Sequence, residues 1–213
     1  MRRVWVLFIV VSLIFLFNGC KFKINQSYNI RDNSVLGSGV TTINGSIHIG
    51  SNCRVNGKCM TVNGVISVDD NSVVRNLQTV NGGISVGRNC EVRGSLESVN
   101  GSVDCESGTL VRKKIRTVNG DVNLDSTTVH RDLITYNGNI GIQRNSRVLG
   151  DIRIKSGKGD KSRIHHITIK LEKGSVVEGD ILVDNDPTLD VTVFVSNDSK
   201  VKGMIRNAKT VEK

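Results

Sequence analysis

The sequence predicts an all-β fold, a single-stranded parallel β-helix or solenoid with about 18–19 residues per coil. Three observations predict it. The dipeptide Asn-Gly recurs at Asn44, Asn63, Asn81, Asn100, Asn119 and Asn137, in steps of 18 or 19 residues. A fixed period in this range marks a stacked repeat. Around each Asn-Gly the apolar positions alternate at period two and are mostly β-branched, which is strand patterning. After the leader, no segment carries the 3.6-residue periodicity of an amphipathic helix. A coil of this length holds three short strands around a triangle, each paired in parallel with the coils above and below, about 4.8 Å away. One coil cannot bury its own apolar side, so stacking is obligatory.

In chain order, Met1-Arg2-Arg3 is a short positive start and Val4 to Phe17 an apolar run of 14 residues. Such a run is short for a membrane span and right for a signal peptide. It leads into Leu16-Phe17-Asn18-Gly19-Cys20. This resembles the bacterial lipobox, with Gly19 and Cys20 in place and Phe17 where Leu is usual. The resemblance implies cleavage before Cys20 and lipid on its thiol, so residues 1–19 are read as a lipoprotein signal peptide and 20–27 as a lipidated Cys20 with a short tether. The anchor would hold the chain at a membrane without a spanning helix. Lys21 stands where enteric lipoproteins retained at the inner membrane carry Asp, so the expected location is the cell envelope, at the outer membrane or its periplasmic face.

Residues 28–205 are expected to form the β-helix, of about nine coils. Tyr28 to Thr41 make a partial first coil, and 42–153 the regular ones. In these, Thr or Ser lies two before each Asn, and Ile or Val three after it (Ile47, Ile66, Ile84, Val103, Val122, Ile140). Asn and Gly are read as corner residues because they best tolerate φ > 0. Stacked in register, Asn44, Asn63, Asn81, Asn100, Asn119 and Asn137 would form a structural ladder of side-chain amides, with the Thr/Ser column as a second. A hairpin reading of Asn-Gly fails because the flanking strands repeat by translation. Residues 156–163 form a basic insertion, 164–205 two degenerate coils, and 206–213 a basic tail. Atypical terminal coils are the expected caps. A right-handed crossover is the default for parallel strands. Ile49 to Val55 and Val86 to Val92 resemble the hexapeptide repeats of left-handed β-helix acyltransferases, but only half of each coil does.

The chain carries a formal charge of +9, or +7 without Arg2 and Arg3. That favours anionic partners such as lipopolysaccharide or an acidic polysaccharide. Arg75, Arg93 and Arg112 lie twelve after their Asn, with Arg131 or His130 continuing the column, and are the candidate anion-binding stripe. Asp69, Glu106 and Asp125 form a looser acidic column. Nucleic acid is not expected, because the mature chain keeps only Phe22, Tyr28, Tyr136 and Phe194 as aromatics and lacks the platforms on which bases stack.

Cys53, Cys59, Cys90 and Cys105 follow the lipid-site cysteine. Cys59 and Cys105 occupy columns otherwise aliphatic and read as small buried hydrophobes. Cys53 and Cys90 share a column two coils apart, about 9.6 Å at this spacing, beyond a disulfide's reach. Thiols are therefore expected, with Cys53–Cys59 the bridge that spacing would allow. His165-His166 are strand neighbours facing opposite sides. No pair of carboxylates is singled out for glycoside cleavage. No catalytic residue, metal site or cofactor is expected.

Thr61 to Val68, Thr79 to Val86 and Thr117 to Leu124 (Thr-Val-Asn-Gly-x-Ile/Val-x-Val/Leu) are similar to the bacterial β-strand-repeat proteins classed as adhesins. The Val-x-Gly-x-Ile/Leu elements ending at Leu96, Ile152, Ile181 and Ile205 are similar to bactofilins, the polymer-forming cytoskeletal β-helices. Together these resemblances cover about 28–205. They imply a β-helix, and a non-enzymatic scaffold that self-associates end to end or binds an anionic envelope polymer. A β-helical polysaccharide-active enzyme is the third reading.

Overall fold

The computed structural model describes residues 21–157 and 163–212 and confirms an all-β parallel solenoid. Its strands fall into three parallel sheets of ten, ten and nine strands. Each coil contributes one strand to each sheet in turn, as Val40–Asn44, Ile47–Ile49 and Arg54–Val55 do in the second coil. There are ten coils rather than about nine. The solenoid also reaches beyond 28–205. Lys21–Lys23, expected as tether, is the edge strand of the first sheet. Lys209–Glu212, expected as tail, closes the second.

The register lines the interior with continuous apolar columns. In the first sheet Val40, Cys59, Leu77, Leu96, Ile115, Leu133, Ile152 and Ile181 lie in line, all fully buried. In the second sheet Ile47, Ile66, Ile84, Val103, Val122, Ile140, Ile169 and Val193 do the same. Period-two alternation sends these side chains inward and their neighbours to solvent.

Three corners turn the chain in each coil, and two of them divide the work that the sequence assigned to Asn-Gly alone. The corner between the second and third sheets is the left-handed one. Asn33, Asn52, Asn71 and Asn89 sit there at φ 54–60°, followed in the same column by Gly108 at 78° and Asn145 at 61°. This is the conformation that Asn and Gly adopt at least cost.

The Asn-Gly corner between the first and second sheets is different. Asn44, Asn63, Asn81, Asn100 and Asn119 do not have positive φ, nor do the glycines that follow them. Those glycines are required by proximity. A Cβ on Gly82 would stand 2.0 Å from the Gly64 carbonyl oxygen, and one on Gly101 2.1 Å from that of Gly82. The backbones stack there with no room for a side chain.

The eighth coil is longer. Its strand His165–Leu171 meets the previous coil only through Ile169 to Leu171, but pairs along its whole length with Leu189–Val195. The Asn139 side chain receives the Thr168 amide at 2.9 Å and closes the step between them. Residues 158–162 of the basic insertion lie outside the described residues, as do 1–19 and Cys20.

Gly82→Ala is expected to destabilise by at least about 2 kcal/mol, because the methyl group meets fixed backbone. Gly37→Ala, which meets nothing within 4 Å, should change stability by less than about 0.5 kcal/mol. Urea unfolding of the two variants distinguishes this steric account from a requirement for positive φ.

Candidate functional site

The Asn-Gly corner carries a polar network that runs continuously from coil to coil. Each Asn amide donates to the amide oxygen of the Asn one coil earlier. Asn44 reaches Asn25 at 2.7 Å, Asn63 reaches Asn44 at 2.7 Å, Asn81 reaches Asn63 at 2.8 Å, Asn100 reaches Asn81 at 2.9 Å, and Asn119 reaches Asn100 at 2.9 Å. The ladder begins one coil before the expected set, at Asn25. Among the described residues it does not include Asn137, which joins Asn119 only through the backbone.

The Thr/Ser column does not bond to itself. Thr42 donates to the Gln26 carbonyl, and Thr61, Thr79, Ser98 and Thr117 donate to the Gly45, Gly64, Gly82 and Gly101 carbonyls at 2.7–3.3 Å. These hydroxyls are buried, so each bond also spares a desolvated polar group. Thr135, where the regular repeat ends, has a buried hydroxyl with no partner among the described residues.

A second hydroxyl column lines the left-handed corner. Ser72 donates to the Gly50 carbonyl at 2.9 Å and Thr109 to that of Gly87 at 2.8 Å. Cys53 and Cys90 are interleaved with them, their thiols 3.1 Å from the Arg31 and Asp69 carbonyls. These two cysteines stand in for Ser or Thr. Cys59 and Cys105 stand in for aliphatic residues, in register with Val40 and Leu77 and with Val86 and Leu124 respectively. No disulfide joins the four, and all are buried. Burial pushes the Cys90 thiol up, and that of Cys105 further, well above the ordinary range.

The candidate cation stripe resolves into a mixed charge network. Arg93 and Arg112 both converge on Glu91, at 3.3 and 3.0 Å. The Arg112 bond, then Arg93, holds the Glu91 carboxyl below its usual range. Arg75 is exposed and has no ion-pair partner among the described residues. His130, not Arg131, continues the backbone register, donating its amide to Val111 as Arg112 donates to Val92. Further along the same sheet, Arg147 and Lys202 share Glu178.

The acidic column lies on a different edge. Asp69 pairs with His48 at 3.3 Å and Asp125 with Arg144 at 3.1 Å, while Glu106 lies 3.8 Å from Arg88. His166 points outward, 3.0 Å from Asp190, which Lys209 also bridges at 2.8 Å. Lys209, then His166, lowers the Asp190 carboxyl. Among the described residues no cluster of three metal-ligating side chains is present, and no helix is long and apolar enough to cross a membrane.

The two ends share one feature. At each end the inward positions of one sheet finish in polar residues, while the other two sheets close with Ile30 and Leu36 at one end and with Val201 and Ile205 at the other. Lys21 is in register with Val40 and Lys23 with Thr42. At the far end Thr210 follows Val193 and Glu212 follows Val195. Charges at inward positions of an edge strand block further pairing. Sequence alternation alone would have shown this, had the solenoid been carried to its true first and last strands.

Cys90→Ser should be tolerated and Cys90→Val cost about 1–3 kcal/mol, since only the former keeps a donor for the Asp69 carbonyl. The order should reverse at Cys105, where Val fits and Ser buries an unmatched hydroxyl. Thermal unfolding of the four variants checks both. In comparisons with known proteins, the chain matches no protein-family description, no curated protein and no solved structure.

Proposed function

We propose that this protein is a cell-envelope lipoprotein, anchored by acyl chains on Cys20, whose solenoid serves as a rigid, non-enzymatic spacer. The observation that carries the reading is the continuity of the coil-to-coil bonding. Three parallel sheets and the Asn25–Asn119 ladder bind each coil to the next. With ten coils about 4.8 Å apart, the ends stand roughly 45 Å from each other. Polar surface groups are largely spent on neighbouring coils, as in Asn76, Asp132, Asp151 and Asp180. Each of these accepts a backbone amide from the coil that follows.

End-to-end self-association comes second. The polar residues that close the inward positions of one sheet at each end favour a discrete rod over a filament. Binding of an anionic envelope polymer is favoured by one observation. The third sheet and its flanking turn present Arg54, Arg75, Arg93, Arg112 and Arg147 against Glu91 and Glu178.

Mass spectrometry of protein extracted from membranes should find the mature chain starting at a lipidated Cys20. An intact leader or cleavage elsewhere sinks the anchor. Residues 21–213 should behave as monomeric rods by light scattering and negative-stain microscopy, and filaments would reverse the order of the first two readings. Glu91→Gln should raise the salt needed to elute the protein from heparin, by releasing Arg93 and Arg112, and Arg75→Ser should lower it. Unchanged elution in both variants removes the polymer reading.

A further inference from the structure

The first coil is unlike the rest of the surface. It supplies the edge strand of all three sheets, so it forms one whole end of the rod. Three of the large exposed apolar side chains crowd onto it: Phe22 at 41%, Ile24 at 55% and Val35 at 72%. Phe22 and Val35 belong to different sheets, so the apolar groups ring the end rather than mark one side.

The same coil is basic. Lys21 and Lys23 occupy inward positions of this edge strand, where no further coil covers them. The Lys23 ammonium lies 4.4 Å from the centre of the Tyr28 ring, and Tyr28 itself packs on the core. The lysines therefore lie across the end face and not along the flank. Arg31 is exposed on the same coil, just after the strand Tyr28–Ile30, and Asp32 is the coil's one acid, its carboxylate accepting the Ser51 amide.

An apolar rim around cations is the composition of surfaces that seat at the headgroup level of anionic bilayers. The sequence position of this end completes the argument. Cys20 immediately precedes Lys21, which is already in the first sheet, so the strand begins where a tether was expected. The opposite end is basic as well, with Lys200, Lys202, Arg206 and Lys209 against Asp198 and Glu212, but it carries one large exposed apolar side chain, Met204, where the first coil carries three.

We propose that the first coil is a membrane seat: Phe22, Ile24 and Val35 enter the headgroup region of an anionic bilayer while Lys21, Lys23 and Arg31 pair with lipid phosphates, so that the rod stands with its first coil on the membrane. This rests on the anchored reading above, but adds a second, lipid-independent contact that fixes the rod's orientation.

The test uses the full-length protein, processed and reconstituted into phosphatidylglycerol vesicles containing brominated phosphatidylcholine. The sequence has one tryptophan, Trp5. In a Trp5→Phe background, Val35→Trp and Met204→Trp report the two ends, Met204 being 54% exposed. The seat predicts that Val35→Trp loses most of its fluorescence to the brominated lipid while Met204→Trp loses none. Changing Lys21, Lys23 and Arg31 to Gln should weaken the Val35→Trp quenching, as should about 0.5 M salt with the lysines intact.

Neither end quenched means a freely tethered rod, and both ends quenched means one lying flat. Either result overturns the proposal, and quenching indifferent to the triple change and to salt overturns its electrostatic part. The mass of the Cys20 peptide is read from the same samples. Lipidated protein with Val35→Trp unquenched keeps the anchor and loses the seat, and unlipidated protein with Val35→Trp quenched does the reverse.

Discussion

The structure depends on how closely the backbone passes itself at the Asn-Gly corner. From Gly64 onward each glycine there lies against the carbonyl of the glycine one coil earlier, and Gly45 against that of Gln26, at distances that exclude even a methyl group. That closeness lets the Thr hydroxyl reach the same carbonyl and brings successive Asn amides within 2.7–2.9 Å. One steric allowance thus sets three columns at once, and the apolar columns inherit their register from it. A parallel solenoid has no hairpins to fix its pairing, and a slip of one residue would turn every Ile and Val outward. The Asn ladder is the device that forbids the slip.

Much of this was legible in the chain. The period of Asn-Gly gave the coil, and the alternation of Ile66, Val68, Ile84 and Val86 gave the inward face. What the sequence obscured was which corner needed which property. Asn-Gly invites a reading as a left-handed turn because both residues adopt one easily, yet here Gly is used for its size and Asn for its amide. The true left-handed residues, Asn33, Asn52, Asn71 and Asn89, stand before the third sheet, where Gly108 and Ser126 interrupt the column and dilute the signal.

The ends of the solenoid are hidden in the sequence for a related reason. Lys21, Lys23, Thr210 and Glu212 break the apolar pattern because they close the structure, so a search for that pattern stops short of them. The candidate surface shows the same limit. Arg75, Arg93 and Arg112 recur at one spacing, but the sequence does not reveal that Glu91, nineteen residues before Leu110 in the register of the third sheet, would take two of them. The spacing puts Cys53 and Cys90 in one column but does not show why. The reason is chemical: a thiol fills the place of a Ser or Thr hydroxyl and donates to the same kind of carbonyl.

The Asn-Gly ladder also bears on how the molecule ages. Asn-Gly is the dipeptide most given to cyclise, its backbone nitrogen attacking the side-chain amide and expelling ammonia. The corner restrains both reactants. The nitrogens of Gly45, Gly64, Gly82, Gly101 and Gly120 are each engaged with an Asn carbonyl of the next coil, and the amides from Asn44 to Asn119 are held by their neighbours. Asn137 lies past the last rung. Spontaneous conversion to aspartate would therefore start outside the ladder, at Asn137 and at the exposed Asn56, which Gly57 also follows, and a protein rich in a labile dipeptide would keep time from two of its sites.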